Sequence, residues 1–143
     1  MSALTFLPTA LCTAWTLLGT ASLVDATHPR ARHPAAPLPS VTVLKPLCGS
    51  DPALEANLES FFTQDHPDYE LVFGVERDDD PACAVAARLI ARHPAVRARL
   101  IVHGATLGQN PKVRNLRAML PHASHDLVLV SDSNVRAPRH YVR

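Results

Sequence analysis

Beyond residue 40, short apolar runs alternate with segments in which apolar residues recur at helical spacing. The runs predict strands at 41–44, 70–75, 99–102 and 127–130, and the spacing predicts helices at 51–64, 82–93 and 112–120. Asp51, which precedes a proline, is the predicted N-cap of the first helix. This alternation is typical of a parallel sheet with helices on both faces, and such sheets bind ligands at the carboxyl ends of their strands.

The first 24 residues differ from the rest because they contain no charged side chain. A helix of that length can cross a hydrocarbon core about 30 Å thick, so residues 1–26 are predicted to form a single transmembrane anchor. A cleaved signal peptide is the alternative, but it would begin with basic residues, which this segment lacks. The first basic residues, Arg30 and Arg32, follow the apolar segment, so the positive-inside rule predicts that the remainder lies in the cytoplasm.

Residues 27–40 are rich in proline, which fixes the backbone and removes hydrogen-bond donors. Neither a helix nor a sheet is expected there, so the segment is predicted to be a stalk. The alternating pattern then occupies 41–143, which is the predicted α/β domain. The chain is therefore expected to consist of an anchor, a stalk and one folded domain at a bilayer surface.

The overall composition excludes several classes of function. Fourteen Lys and Arg against 13 Asp and Glu leave a net charge of +1, and only 5% of the residues are aromatic. The chain thus lacks both the basic field and the stacking side chains of a nucleic-acid-binding protein. Its three cysteines are odd in number and lack metal-binding spacing, so no disulfide framework or zinc site is expected.

Acidic side chains follow two of the predicted strands. Asp78, Asp79 and Asp80 come after the second strand, and Asp132 comes after the fourth. Adjacent carboxylates repel one another unless donors or a cation compensate, so their position at strand ends points to ligand binding. Asp80 also precedes a proline and a helix, which makes it a predicted N-cap whatever else it does. Asp132 is a suitable ligand for a hard cation.

Basic side chains follow the loop at 104–111, at the predicted start of the third helix. Lys112 and Arg114 lie where backbone donors and a cation can both contact a phosphate. The loop contains neither a dinucleotide-binding glycine pattern nor a P-loop pattern. The sequence therefore indicates phosphate binding without either of those motifs.

Five strings in the chain resemble the ceramide glucosyltransferase family and its bacterial relatives associated with hopanoid glycosylation. In order they are VLKPLCG at 43–49, NLESFF at 57–62, DDPA at 79–82, GQNPK at 108–112 followed by NL at 115–116, and VSDS at 130–133. The resemblance covers roughly 41–143, and five motifs in the same order make it far more specific than one motif alone.

Members of that family are membrane-anchored, inverting glycosyltransferases with a GT-A fold and a cytosolic nucleotide-sugar site. The resemblance implies a Rossmann-like, mostly parallel GT-A sheet and transfer of a hexose or N-acetylhexosamine from a UDP-sugar to a membrane lipid. A ceramide or a hopanoid-type polyol is the implied acceptor, as in sphingolipid and glycolipid biosynthesis. The bacterial relatives imply the bacterial inner membrane as the location.

The resemblance also implies roles for particular residues. Asp80 would help to hold the uridine end of the donor, and Asp132 would hold Mg²⁺ or Mn²⁺ on the diphosphate. Asp79, Lys112 and Asn115 lie in the matching strings and are the other predicted substrate-binding residues. The chain has a single carboxylate at Asp132 where a DxD motif has two, so metal binding is expected to depend on the substrate.

The sequence departs from the family because a third aspartate and an Arg/Gln-x-x-Arg-Trp string are absent. We therefore expect the chain to be the N-terminal, donor-binding part, with the general base beyond Arg143 and no catalytic residue within the chain. The alternative is a membrane-anchored, non-catalytic α/β module that binds a nucleotide or a cation. A receiver-like module would have a lone aspartate after the third strand, where this chain has Val102 and His103.

Overall fold

The computed structural model describes residues 37–104 and 109–143. Its elements are β1 (Val41–Pro46), α1 (Leu54–Glu59), β2 (Tyr69–Val75), α2 (Pro81–Arg92), β3 (Arg97–Val102), α3 (Pro111–Met119), a 3₁₀ turn (Leu120–His122) and β4 (Leu127–Val130). The predicted order of strands and helices is confirmed, and the predicted bounds of β4 are reproduced. The predicted anchor and residues 27–36 of the predicted stalk lie outside the described residues. Within 37–104 and 109–143, no helix is long and apolar enough to cross a membrane.

The first helix is shorter than the sequence predicts. It begins at Leu54, and Ala53 occupies the N-cap position, so the prediction that Asp51 caps this helix is wrong. Asp51 instead accepts a hydrogen bond from the Ala53 amide, at 2.8 Å, in a turn before the helix. After Glu59 the chain continues in tight turns, because the amides of Phe61 and Phe62 bond to carbonyls three residues back.

All four strands are parallel, as predicted, and their order in the sheet is β3-β2-β1-β4. The first two crossovers run from β1 to β2 and from β2 to β3, toward one edge. The third crossover returns across the sheet to place β4 on the other side of β1. The direction of winding therefore reverses between β1 and β4, and ligands of open α/β sheets bind at such a reversal.

The helices cover both faces of the sheet, as predicted. On one face α1 and α2 pack against inward-pointing strand residues, and this core includes Val43, Leu71 and Phe73. On the other face α3 contributes Met119, which packs with Leu44 and Val72. Alternate residues of β1 and β2 thus point to opposite cores, as the pleat of a strand requires.

The segment that follows β4 folds back over the face that carries α1. Ala137 and Val142 are buried there, and the Val142 amide donates to Gln64 Oε1 at 3.1 Å. The Tyr141 ring packs edge-on against Phe61 with centroids 5.7 Å apart. These contacts pack residues 137–142 against the face of the sheet that carries α1.

A buried carboxylate stabilises the amino-terminal end of the sheet. Glu70 of β2 is fully buried and accepts hydrogen bonds from Thr42 Oγ1 at 2.7 Å and from Ser124 N and Oγ. Arg99 of β3 completes the cluster with an ion pair of 2.8 Å. Burial raises the pKa of Glu70, but the hydrogen bonds and the Arg99 charge outweigh it, so the pKa lies below its ordinary value.

Candidate active site

A cavity of about 470 Å³ opens at the carboxyl ends of the strands, beside the reversal between β1 and β4. It is lined by side chains from the loop after β1, from the start of α2, from α3 and from the turn after β4. The lining residues are Pro46, Leu47, Cys48, Glu76, Asp80, Asn110, Pro111, Lys112, Asn115, Asp132, Ser133 and Asn134. Four of the five predicted site residues therefore line one cavity, and Asp79 does not.

Asp132 and Lys112 form an ion pair in the lining of this cavity. Asp132 is the second residue after β4, and Lys112 lies in the first turn of α3. The Lys112 Nζ lies 2.5 Å from Asp132 Oδ1, and each side chain is about half exposed. The carboxylate and the ammonium are thus both accessible from the cavity and neutralise one another.

The amino-terminal end of α3 opens onto the same cavity. Asn110 caps the helix by accepting hydrogen bonds from the Lys112 and Val113 amides at 3.0 and 3.4 Å, and Pro111 occupies the first turn. Arg114, one turn into the helix, pairs with Glu76 at 2.8 Å. The positive end of the helix dipole and the Lys112 ammonium are therefore close together, and both favour an anionic ligand.

Asp80 connects two loops at the base of the cavity. Its side chain caps α2 by accepting from the Ala82 amide at 2.8 Å, so the predicted N-cap is confirmed. Both carboxylate oxygens also lie 3.0 Å from the amide of Gly49, which has a φ of 68°. Asp80 thereby ties the loop after β1 to the start of α2.

The structure places Asp79 differently. Its carboxylate pairs with Arg77 at the surface, and that hydrogen bond lowers the pKa of Asp79. Asp80 turns inward to cap α2, so the side chain of the preceding residue, Asp79, lies on the outside of the loop. A substrate-binding role for Asp79 thus stays a prediction, and Asp79 is not among the described residues that line the cavity.

Asn115 is buried beneath the cavity and joins three elements. Its Nδ2 donates to the carbonyls of Leu47 and Gly74, at 3.2 and 2.8 Å, so it links the carboxyl ends of β1 and β2 to α3. A Cβ built on Gly74 would overlap Asn115 Oδ1 and the Met119 side chain. Only glycine at position 74 allows the helix to approach this closely.

Sequence analysis missed Lys45, a fully buried side chain in β1. Its Nζ donates to Asp132 O at 2.8 Å and to Ser131 Oγ at 3.2 Å, and it lies 3.6 Å from the centroid of the Phe61 ring. Burial lowers the pKa of Lys45 to about 7, although the Asp132 charge acts in the opposite direction. A lysine in a mostly apolar strand was the available signal.

The residues of the cavity suit a divalent cation that a ligand helps to bind. Within 37–104 and 109–143, no group of three His, Cys, Asp or Glu side chains is placed to hold a metal by itself. Asp132, Ser133 and Asn134 nevertheless line the same cavity, and their side chains carry carboxylate, hydroxyl and amide oxygens. Mg²⁺ is commonly held by one or two carboxylates together with substrate phosphates, which agrees with this set.

Comparison with solved structures defines the class of fold. The mannosyltransferase PcManGT from Pyrobaculum calidifontis, solved in complex with GDP-Man and Mn2+, superposes with a TM-score of 0.68 at 23% identity, over 92% of this chain and 39% of that chain. TarS residues 1–349 from S. aureus superpose with a TM-score of 0.54 at 21% identity, over 66% of this chain and 27% of that one. The chain has the GT-A-like α/β fold of these glycosyltransferases.

Sequence comparison then gives the family. The profile of glycosyl transferase family 21 matches residues 3–143, and the chain belongs to this family. Ceramide glucosyltransferase 1 of Caenorhabditis elegans is 40% identical over 109 residues, which are 74% of this chain and 23% of the relative. The ceramide glucosyltransferase of Komagataella phaffii is 39% identical over 99 residues, 66% of this chain and 19% of that relative. The resemblance stated from the motifs is confirmed, and the chain spans about a fifth of these relatives.

Proposed function

We propose that this chain forms the donor-binding part of a lipid glycosyltransferase. In this proposal a hexose or N-acetylhexosamine passes from a UDP-sugar to the hydroxyl of a ceramide- or hopanoid-type membrane lipid, with inversion at the anomeric carbon. The observation that carries the proposal is the convergence of Asp132, Lys112 and the start of α3 in one cavity at the winding reversal. Family membership and the ceramide glucosyltransferase relatives support the choice of a lipid acceptor.

The diphosphate of the donor is the part of the substrate that this cavity suits best. It carries about two negative charges, and its negative charge grows as the sugar departs. Lys112 and the amino-terminal end of α3 supply positive charge on one side of the cavity. Asp132 lies next to Lys112, and a cation bound to its carboxylate would add a second positive charge for the diphosphate.

Asp132 would hold Mg²⁺ or Mn²⁺, with the oxygens of Ser133 and Asn134 beside it. The ion, when bound, acts as a Lewis acid that neutralises the leaving diphosphate. Lys112 is the present partner of the Asp132 carboxylate, so ligand binding must redistribute that ion pair. In the complex Lys112 is then available to pair with phosphate oxygens.

Asp80 is proposed to contribute to the nucleoside end of the site. Its carboxylate holds the loop after β1 in place through the Gly49 amide, and it lies on the cavity wall. A carboxylate accepts hydrogen bonds from the N–H groups of a base or from ribose hydroxyls. Asn115 supports the same loop through the Leu47 carbonyl, so its proposed part in substrate binding is to shape this wall.

The proposed location is a membrane, with residues 1–26 as a single-pass anchor and the domain in the cytoplasm, in a bacterial inner membrane. The charge-free start of the chain and the arginines that follow it support this orientation. Labelling of Cys48, which is exposed, can test it in spheroplasts. We expect a membrane-impermeant thiol reagent to label Cys48 only after the membrane is opened.

The central experiment measures UDP binding to the chain by calorimetry, with and without Mn²⁺. We expect UDP binding that needs Mn²⁺ in the wild type, and we expect Asp132→Asn to lose this Mn²⁺-dependent binding. Asp79→Asn is the matched control, because it makes the same change at a carboxylate that pairs with Arg77 and does not line the cavity. Absence of UDP binding in the wild type would contradict the proposal.

A second measurement separates transfer from binding. Because the chain spans about a fifth of its relatives, membranes that contain a full-length relative are incubated with a labelled UDP-sugar and with ceramide or a hopanoid polyol. Labelled lipid that disappears when the aspartate matching Asp132 is replaced by asparagine supports the proposed role, with an expected loss of at least about a hundredfold because the metal contributes several kcal/mol to the barrier. Unchanged transfer in that variant would instead favour the non-catalytic nucleotide-binding module for this chain.

A further inference from the structure

A lysine at position 45 of β1 is unfavourable for the stability of the fold. Its side chain is fully buried on the face that packs against α1, and its ammonium has two neutral oxygen partners and one ring. A buried charge with such partners costs stability, and an apolar side chain of similar volume is often neutral or stabilising at such sites. The stability of the fold therefore does not by itself explain a lysine here.

Both hydrogen bonds of the ammonium reach the first residues after β4. The Ser131 amide extends the sheet by donating to the Leu44 carbonyl at 3.0 Å, so Ser131 lies beside Lys45. The next carbonyl, that of Asp132, accepts from Lys45 Nζ at 2.8 Å and from the Val135 amide at 3.3 Å. Lys45 thus holds the backbone of Asp132 at the point where the chain turns away from the sheet.

The Asp132 side chain points into the cavity from this fixed backbone. Its carboxylate meets Lys112 of α3, while its carbonyl meets Lys45 of β1. Asp132 is therefore held by two lysines from different elements. Lys112 contacts the Asp132 carboxylate directly, whereas the hydrogen bond from Lys45 to Asp132 is to its main-chain carbonyl.

We propose that Lys45 is a positioning residue that fixes the turn of Asp132, so that the carboxylate is in place for a metal-bound diphosphate. This inference rests on the proposed function. It adds a residue that touches neither the metal nor the donor, and it explains why a buried ammonium is kept beneath the site.

Lys45→Met tests the inference because it keeps the volume and removes both hydrogen bonds. Hydrogen–deuterium exchange of 131–135 is measured first, and we expect faster exchange at the Val135 amide without a fall in Tm. Mn²⁺-dependent UDP affinity is measured next, with an expected loss of about 10- to 100-fold, the range seen when residues that orient metal ligands are altered. Unchanged exchange together with unchanged affinity would overturn the proposal.

Two further variants control for packing. Phe61→Leu removes the ring beneath the ammonium and leaves both hydrogen bonds, so the affinity should stay at the wild-type value even if the Tm falls. Ser131→Ala removes only one of the two bonds, and we expect an affinity loss of about two- to tenfold. If Lys45→Met does not fold, Ser131→Ala decides: its predicted loss supports the inference, and wild-type exchange and affinity overturn it.

The outcomes distinguish this inference from the proposed function. If Asp132→Asn loses Mn²⁺-dependent binding and Lys45→Met retains it, the function stands and the role of Lys45 is wrong. If the wild type does not bind UDP, the function is wrong, and the exchange experiment alone decides whether Lys45 fixes the turn. Faster exchange supports that role, and unchanged exchange refutes it.

Discussion

Each end of the sheet buries one charged side chain, and the two side chains differ in how well their partners compensate the charge. At the amino-terminal end the Glu70 carboxylate accepts four hydrogen bonds or ion-pair contacts from three residues, Thr42, Ser124 and Arg99. At the carboxyl end the Lys45 ammonium has two neutral acceptors and one aromatic ring. Glu70 is thus matched by donors and a full opposite charge, whereas Lys45 is not.

The pKa shifts report the same difference. The pKa of Glu70 falls although burial opposes this, which means that its surroundings favour the charged form. The pKa of Lys45 falls to about 7 because burial disfavours its charged form. We infer that the amino-terminal end is built for stability, while the carboxyl end accepts a cost in order to shape the cavity.

The largest expected effect at the carboxyl end comes from Gly74→Val. The added side chain would overlap Asn115 and Met119, so α3 must move away from β2. We expect a loss of about 3 kcal/mol or more in the free energy of unfolding, together with loss of UDP binding. Urea denaturation and calorimetry check the two effects.

Gly49→Ala is the matched control for that substitution. Gly49 has open space around its Cβ position but a φ of 68°, so the strain is in the backbone alone. The expected cost is about 1 kcal/mol. A cost at position 49 as large as at position 74 would contradict the packing explanation.

The next largest effect is expected for Glu70→Gln, which disrupts the contacts of Glu70 with Thr42, Ser124 and Arg99. The amide can no longer form an ion pair with Arg99 and cannot accept every bond that the carboxylate accepts. We expect a loss of about 2 to 3 kcal/mol at pH 7, with UDP binding retained by the protein that remains folded. Loss of UDP binding at temperatures where the variant is folded would contradict the separation of the two ends.

The Glu70 carboxylate also makes the free energy of unfolding depend on pH, and the direction of this dependence can be stated. Because its pKa is lowered on folding from an ordinary value of 4.5, its contribution to stability is present above about pH 4.5 and is lost as the pH falls through the folded value. Urea midpoints measured from pH 7 down to pH 3 should therefore decrease more steeply for the wild type than for Glu70→Gln. Parallel pH curves would show that the charge is not stabilising.

A smaller effect is expected at Asp80. Asp80→Ala removes the cap of α2 and the contact with the Gly49 amide, for an expected loss of about 1 to 2 kcal/mol. Asp80→Ser retains a capping oxygen and should recover much of the stability. If Asp80 also contacts the donor, the UDP affinity of Asp80→Ser will stay below the wild-type value although its stability recovers. Wild-type affinity in Asp80→Ser would exclude that contact.

The smallest effect is expected for Arg77→Ala, next to the cavity. Arg77 pairs with Asp79 at the surface, and exposed pairs contribute little to stability. We expect no measurable change in either the Tm or the UDP affinity. A clear fall in UDP affinity would place Asp79 and its partner in the site after all.

Much of the fold could be predicted because its signals are local. The four-residue apolar run of β4 and the Asp-Pro start of α2 both specify structure through neighbouring residues. The end of α1 could not be predicted, because its apolar spacing continues to Phe62 while the backbone changes to tighter turns. Spacing reports which side chains face the core but not which hydrogen bonds connect them.

The site was predictable only in part for the same reason. Asp80, Lys112 and Asp132 could be found because they follow strands or begin helices, and strand ends meet at one edge of a parallel sheet. Lys45 could not be assigned, since its partners lie more than 80 residues away in sequence. Asp79 and Asp80 are neighbours with the same side chain, and only the capping geometry of α2 separates them.

The parallel pairing of β1 with β4 has a consequence for the order of folding. Lys45 and Ser131 are separated by 86 positions along the chain, whereas Thr42 and Glu70 are separated by 28. Closing the longer loop loses more chain entropy, and contacts between distant residues slow folding. We expect β1, β2 and their helices to assemble first and β4 to dock later, so the cavity would be completed only in the final stage, when Asp132 reaches Lys45.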